Sequence, residues 1–483
     1  MAKTKVARTK APASKSKTRR RSRTSDKKES NGAIRSYEEA LRYLFSVTDY
    51  EKMSRTGSYN RTNFNLARMN RILGELGNPQ KNLRFIHIAG TKGKGSTAGM
   101  VAAMLRGAGY KVGLYISPHL MDIRERVTIN EEMIGQKAMA EIIASLAHAV
   151  KRLKENPTFF ELMTATAFRY FADNKVDYAV VEVGLGGRLD STNVIKPEVC
   201  AITSIGYDHM AQLGNTLASI AGEKAGILKS GVTAIAAPQE AEALVVLRQT
   251  AEKIGCTLRV LGHDIDYNCR FEAGPDGSPI NRICMNTPHS RFEHVNVPAP
   301  GEHQAINCAV ALGVIDALRQ AGHNIPEDLA VAGLSSLRLA GTMELICQDP
   351  RIIVDKAHNG LSIQALMKAL GQHVSYDSMV VIFACCRDKD ISRMLQALAL
   401  GADKVIFTPN DSPRSADPYE MAEQYMEMTG KMAQVADSLD EAVRIACSAV
   451  TRGDLICITG SCYIVGRAKR VFTGRSLPQH AHV

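Results

Sequence analysis

No apolar run in this chain approaches the ~20 residues needed to cross a bilayer; the longest, such as Ser378 to Cys386, are closed by charge or glycine. No membrane span or membrane partner is expected. The N-terminus lacks the apolar segment of a secretory signal, and its Lys-rich composition without an amphipathic period is unlike a transit peptide, so export is not expected either. Eleven cysteines occur, but at irregular spacing that includes the adjacent pair Cys385 and Cys386. Neither a disulfide framework nor a Cys-x-x-Cys metal site can be drawn from them, which points to a reducing cytoplasm. Internal repeats at solenoid periods are also missing.

Acidic residues are in deficit, with 49 Asp and Glu against 60 Lys and Arg. The imbalance is local. Residues 1–30 hold seven Lys and five Arg against Asp26 and Glu29, a net of +10, which leaves +1 for residues 31–483. The body of the protein is nearly neutral, so the basic balance says nothing about its substrate. Residues 1–35 read as a disordered basic tail, because Lys, Arg, Ser, Thr and Ala offer almost nothing to bury against the entropy of ordering. That tail either contacts nucleic acid or another acidic surface electrostatically or is simply solvated; it has no aromatic residue for base stacking.

The remaining chain, 45% hydrophobic over its full 483 residues, is long enough for two or three domains. Order is expected to begin near Tyr37, where apolar residues take helical spacing. A second helix follows over Phe64 to Leu76, then a strand over Leu83 to Ala89 that runs into a glycine-rich turn. Helix Thr97–Ala108, strand Lys111–Ile116, helices near Gln136–Lys154 and Glu161–Asn174, and strands Tyr178–Val183 and Glu198–Ser204 continue an alternation that implies a parallel sheet covered by helices. Residues 256–300, with turn signals such as Gly274-Pro-Asp-Gly277, break the rhythm as a β-rich insertion or edge. Alternation restarts after Leu345 with strands Arg351–Asp355, Met379–Ala384, Lys404–Phe407 and Asp454–Thr459. The expected organisation is a first α/β domain over 36–345 and a smaller one over 346–483, with a substrate cleft between them.

Gly90-Thr-Lys-Gly-Lys-Gly-Ser-Thr97 follows a strand and opens a helix. Backbone N–H groups there can converge on phosphate oxygens while Lys94 adds a mobile positive charge. A glycine separates Lys94 from Ser96, so this is not the general Gly-x-x-x-x-Gly-Lys-Ser/Thr loop. Further segments stand at the ends of apolar strands, where open α/β sheets bind ligands. They are Ser117-Pro-His-Leu120, Glu182-Val-Gly-Leu-Gly-Gly-Arg-Leu-Asp190 and Ile205-Gly-Tyr-Asp-His209. A Glu at the end of an apolar strand is costly unless it is paired or bound to metal.

These segments together resemble the folylpolyglutamate synthase and dihydrofolate synthase family, relatives of the Mur peptide ligases, over roughly residues 36–470. The resemblance implies a Mur-ligase-like P-loop ATPase domain followed by a smaller Rossmann-like α/β domain. It implies ATP bound by Gly90, Thr91, Gly93, Lys94, Gly95, Ser96 and Thr97, with Asn307 of the Gly301-Glu-His-Gln304 stretch as a further nucleotide contact. Asp355 and His358 of Asp355-Lys-Ala-His-Asn359 are expected to reach ATP from the second domain. Two Mg²⁺ are expected, held by Ser96, Ser117, Glu182, His209 and Lys224; Lys224, in Glu223-Lys-Ala-Gly-Ile-Leu-Lys229, matches a lysine that the family carbamylates. From the residues alone Lys224 reads as a surface lysine. Lys94, Lys224 and His358 are the implied catalytic set.

The implied reaction is ATP-dependent addition of L-glutamate to dihydropteroate, to a (poly)glutamylated tetrahydrofolate, or to both, through an acyl phosphate, by a cytoplasmic monomer. The readings left beside it are a related amide ligase acting on another carboxylate and a catalytically impaired ATP-binding protein. Three positions depart from the family pattern. Lys92 stands where Asn is usual, Lys356 where Gly is usual, and Thr342 where an Arg is expected to contact the nucleotide. The missing charge is to be supplied by Lys92, Lys356 or Arg338.

Overall fold

The computed structural model describes residues 34–49, 64–273 and 279–473. The tail up to residue 33 and the Gly274-Pro-Asp-Gly277 turn lie outside the described residues. Eight strands build the first sheet: β1 Phe85–Ala89, β2 Val112–Tyr115, β3 Val127–Ile129, β4 Glu132–Met133, β5 Tyr178–Glu182, β6 Val199–Ile202, β7 Thr233–Ala236 and β8 Thr257–Val260. Their order is β4-β3-β2-β5-β1-β6-β7-β8. The six strands from β2 to β8 in that order are parallel, and β3 and β4 add an antiparallel edge.

The central strands β1, β5 and β6 are buried at every residue, which is why they read as continuous apolar runs. Helices Lys94–Gly107 and Glu302–Gln320 build a core on the sheet with Ile86, Ile88, Val180 and Ala201. Another core, rich in aromatics, gathers Phe85, Tyr115, Phe159, Phe168 and Phe171 with helices Leu66–Glu75 and Gln136–Leu153. Local chemistry sets the helix starts. Thr158 and Glu161 form a reciprocal capping box at the head of helix Phe159–Asp173. Glu161 also accepts the Arg68 Nε–H on both oxygens, at 3.0 and 3.1 Å, which ties this helix to Leu66–Glu75.

The expected β-rich insertion is a three-stranded antiparallel sheet, β9 Tyr267–Ala273, β10 Pro279–Asn286 and β11 Arg291–Asn296. Its inward residues Ile283, Met285, Phe292 and Val295 join the main core. After helix Glu327–Ser336 the chain enters a second sheet: β12 Glu344–Gln348, β13 Arg351–Val354, β14 Met379–Phe383, β15 Lys404–Phe407, β16 Gln434–Val435 and β17 Leu455–Thr459. The order is β12-β13-β17-β14-β15-β16, parallel except for β12.

One helix start differs from the sequence expectation in a way that matters. The helix after β1 begins at Lys94, not Thr97. Gly93, at φ +80°, turns the chain in a left-handed conformation open to glycine, so the helix can begin directly behind it. Lys94 and Ser96 therefore lie in the first helical turn, where backbone N–H groups have no intrahelical partner.

Candidate active site

Strand register decides which loops meet. Ile88 of β1 pairs with Glu182 of β5, Tyr115 of β2 with Val181, and Ala89 of β1 with Ile202 of β6. The loops leaving β1, β2, β5 and β6 thus open at one edge of the sheet. They line a single cavity of about 1660 Å³ together with residues from the ends of β13, β14 and β17 of the second sheet. This is more room than one small ligand occupies.

At its floor the glycine loop is stitched to the β6 exit. Thr91 donates its N–H to Ser204 O at 3.0 Å, and its hydroxyl meets Gly206 O and the Gly206 N–H, each at 3.1 Å. Asn307 packs on Gly93 so closely that a Cβ there would stand 2.0 Å from its Oδ1. Lys94 Nζ stands 3.9 Å from Glu182 Oε1. Glu182 is buried and accepts the Ser117 N–H at 2.9 Å. Burial raises its pKa, against the opposing pull of Lys94, the Ser117 N–H and Lys356.

Lys224 is not a surface lysine. It is 3% exposed and donates to Gly90 O at 2.8 Å, directly behind the glycine loop. Burial and the nearby Lys94 pull its pKa down to about 7, against Asp208. Read without the family resemblance Lys224 passes for a surface lysine, because nothing local shows that helix Leu217–Ala225 turns it inward with Ile220 and Ala221. Lys92 is also depressed by burial, to about 8. Thr97 is not brought to the cavity: it is fully buried and its hydroxyl faces Asn307 O at 3.5 Å.

Residues from the second sheet close the opposite wall. Lys389 crosses to Asp208 at 3.3 Å. Burial pushes the Asp208 carboxyl up, but His209, Lys389 and His358 outweigh it and hold the group below the ordinary carboxylate range. His209 has its Nε2 3.9 Å from Asp208 Oδ1. His358 receives its orientation from Nδ1 on Lys356 O at 2.9 Å. Asp355 folds back on its own turn, accepting the Met343 and Ala357 N–H groups at 2.9 and 2.8 Å. Thr342 is buried with an unpartnered hydroxyl, while Lys356 carries its ammonium to Ala340 O at 3.4 Å. Lys389 was missed as a site residue by sequence reasoning; its signal was the run Arg387-Asp-Lys-Asp390 at a strand end.

Beyond the charged centre the cavity has an apolar wall. Phe45 stacks on Phe159 with ring centroids 5.9 Å apart, Phe160 tilts against Tyr115 at 5.8 Å, and Arg126 lies over Phe159 at 5.2 Å. Such a wall suits a flat ring system.

The donor set is suited to a hard divalent cation. Glu182 is a buried carboxylate whose nearest ammonium is beyond hydrogen-bond reach, and Ser96, Ser117 and Asp208 add oxygen atoms around the same cavity. Among the described residues, no group of three or more His, Cys, Asp or Glu side chains is placed to hold a metal by itself. Serine hydroxyls and phosphate oxygens would have to complete the coordination.

Residues 88–315 match the Mur ligase middle domain, and residues 341–462 match the Mur ligase glutamate ligase domain. The chain is 34% identical over 414 residues to a dihydrofolate synthase/folylpolyglutamate synthase of Bacillus subtilis, covering 84% of this chain and 94% of that one. Among solved structures, a Mycobacterium tuberculosis folylpolyglutamate synthase complexed with ADP aligns with a TM-score of 0.82 at 30% identity, over 93% of this chain and all of that one. An E. coli FolC in complex with DHPP and ADP aligns with a TM-score of 0.78 at 29% identity, over 92% of this chain and 99% of that one.

Proposed function

From the premise that the chain belongs to the folylpolyglutamate and dihydrofolate synthase family of the Mur ligase superfamily, we propose how its cleft joins L-glutamate to a folate-type carboxylate with ATP. The observation that carries the reading is the convergence, in one cavity, of the glycine loop, the Glu182 centre and the second sheet's Asp355, His358 and Lys389. The lobes, divided near residue 345, hold the phosphate loop on one side and the wall carrying His358 and Lys389 on the other.

A carboxylate is a poor electrophile. In the first step its oxygen attacks the γ-phosphoryl of ATP, the bond to the β-phosphate oxygen breaks, and ADP leaves. In the second the glutamate amine attacks the acyl carbon, inorganic phosphate departs, and the amine gives up a proton. The Gly90–Ser96 amides and Lys94 hold the triphosphate and stabilise the charge that develops on it. His358, fixed by Lys356 O, reaches the nucleotide from the second lobe, and Asp355 holds the turn that carries it through the Met343 and Ala357 N–H groups. Asn307 sets the backbone of Gly93. The phenylalanine wall receives the aromatic part of the acid substrate, and the closed cleft keeps water from the acyl phosphate.

Ser96, Ser117, Glu182, His209 and Lys224 are the residues that would hold Mg²⁺, which supplies charge neutralisation to the phosphoryl group. Lys224, favoured as the neutral amine by burial, would add to carbon dioxide with formation of one N–C bond and loss of one proton, and the carbamate would offer oxygen donors of the kind a hard cation prefers. The test is glutamate-dependent ADP release with dihydropteroate and, separately, with a reduced folate. Release with one alone assigns a single activity. Release with neither, in folded protein, overturns the folate assignment, and release without glutamate points to an impaired ligase.

A further inference from the structure

The loop between β2 and β3 touches three places at once. Ser117 meets Glu182 at the charged centre through its N–H, at 2.9 Å. His119 Nδ1 accepts the Arg126 Nε–H at 2.9 Å, and Arg126 lies over the Phe159 ring of the apolar wall. The Glu125 carboxylate gathers the N–H groups of Leu120, Met121 and Asp122 at 2.8, 2.9 and 2.8 Å, which sets the loop's shape.

Leu120 leaves its own lobe. Its side chain packs on the core of the second sheet, the one that holds Ile352, Ile458, Ile464 and Val465. The socket is made by two glycines. A Cβ on Gly341, at φ +64°, would stand 2.9 Å from Leu120 Cδ1, and one on Gly466 would stand 1.9 Å from Leu120 O. Neither position tolerates a side chain while Leu120 is seated. The socket is braced from behind: Gly341 donates its N–H to Glu344 Oε2 at 2.6 Å, and Lys469 Nζ donates to both Glu344 oxygens at 2.7 Å.

We propose that Leu120 is a positioning residue that ties the β2–β3 loop to the second lobe, so that the placement of that lobe sets where Ser117 and His119 stand in the cleft. The inference rests on the ligase reading above. A packed contact transmits displacement because close-packed side chains do not deform continuously. Without it, Glu125 and Arg126 still hold the loop on the first lobe, but the second lobe no longer steers it.

The full-length variants Leu120→Ala, Leu120→Met and Gly466→Ala test this by glutamate-dependent ADP release, thermal unfolding and amide exchange. Leu120→Ala and Gly466→Ala should each lower kcat about tenfold or more, as misplacement of a positioning element does, while the KM for ATP stays within about threefold. Leu120→Met, which refills the socket, should return kcat to within about threefold of the wild type. Amides of residues 117 and 119–122 should exchange faster in Leu120→Ala than in the wild type, with β1 and β5 still protected. The exchange measurement needs no activity, so it separates failure of this inference from failure of the ligase reading. A kcat within about twofold of wild type in either Leu120→Ala or Gly466→Ala overturns the proposal. So does a methionine variant no better than alanine, or unchanged exchange in the loop. Should Leu120→Ala fail to fold, a folded Gly466→Ala with wild-type kcat is decisive against it.

Discussion

Replacing Lys94 by alanine separates the catalytic from the structural worth of the glycine loop. The Lys94 ammonium lies 3.9 Å from the Glu182 carboxylate, with side chains 18% and 5% exposed. Two unit charges at that spacing interact by about 4 kcal/mol at an effective dielectric of ~20. The contact lacks a hydrogen bond, but removing Lys94 leaves the buried Glu182 carboxylate without its counter-charge, so the stability loss should be about 3 kcal/mol, the low end for breaking a buried pair. In a chain of this size that lowers Tm by about 3 °C. Catalysis should lose at least as much. A phosphoryl oxygen in contact with Lys94 gains a similar few kcal/mol, and charge grows there in the transition state. Loss of about 3–4 kcal/mol is a fall in kcat/KM of about 10²–10³. Thermal unfolding measures the first quantity, and ADP release with L-glutamate and the acid substrate the second. In a Glu182→Gln background the stability cost of Lys94→Ala should largely vanish, because the partner charge is gone. A folded Lys94→Ala protein that turns over within about threefold of wild type would refute the phosphate assignment.

Other perturbations follow from the same geometry. His87, fully buried in β1 with Nε2 on Thr192 Oγ1 at 2.9 Å and Nδ1 unpartnered, has its pKa pushed by burial from 6.5 down to about 3. The unfolded chain binds that proton first, so stability is lost as pH falls below 6.5; between pH 6.5 and 5 denaturant titrations should show about 2 kcal/mol more loss in wild type than in His87→Gln. Equal pH slopes would contradict a neutral buried His87. Lys224→Ala should abolish ligation and regain part of it with added short carboxylates, and a crystal structure should show a carboxyl group on Lys224 Nζ; an unmodified amine in a metal- and nucleotide-bound structure would end that assignment. Deleting residues 1–30 removes a net charge of +10 and should leave kcat and KM almost unchanged; a large fall in kcat would place the tail in the reaction.

The alternation of strands and helices was legible because short apolar runs such as Phe85–Ala89 and Tyr178–Glu182, bounded by turn residues and set between longer amphipathic stretches, read as buried strands. The glycine loop and the strand-end segments carrying Ser117, Glu182 and His209 were legible for a related reason: in a parallel sheet the carboxyl end of a strand is where a ligand is met, so local sequence already implies the place. What sequence could not contain is distance between segments far apart in the chain. From its neighbours alone Lys224 reads as a surface lysine; helix Leu217–Ala225 turns it behind Gly90, 134 residues away. Thr97 read as a loop ligand until Asn307 was seen to cover it. Lys389 and Asp208, separated by 181 residues, meet because two sheets face each other. Leu120 belongs to the second lobe's core only because Gly341 and Gly466 leave it a socket. Element type is written in the periodicity of neighbouring residues, whereas burial and ionisation depend on which surfaces the folded chain brings together.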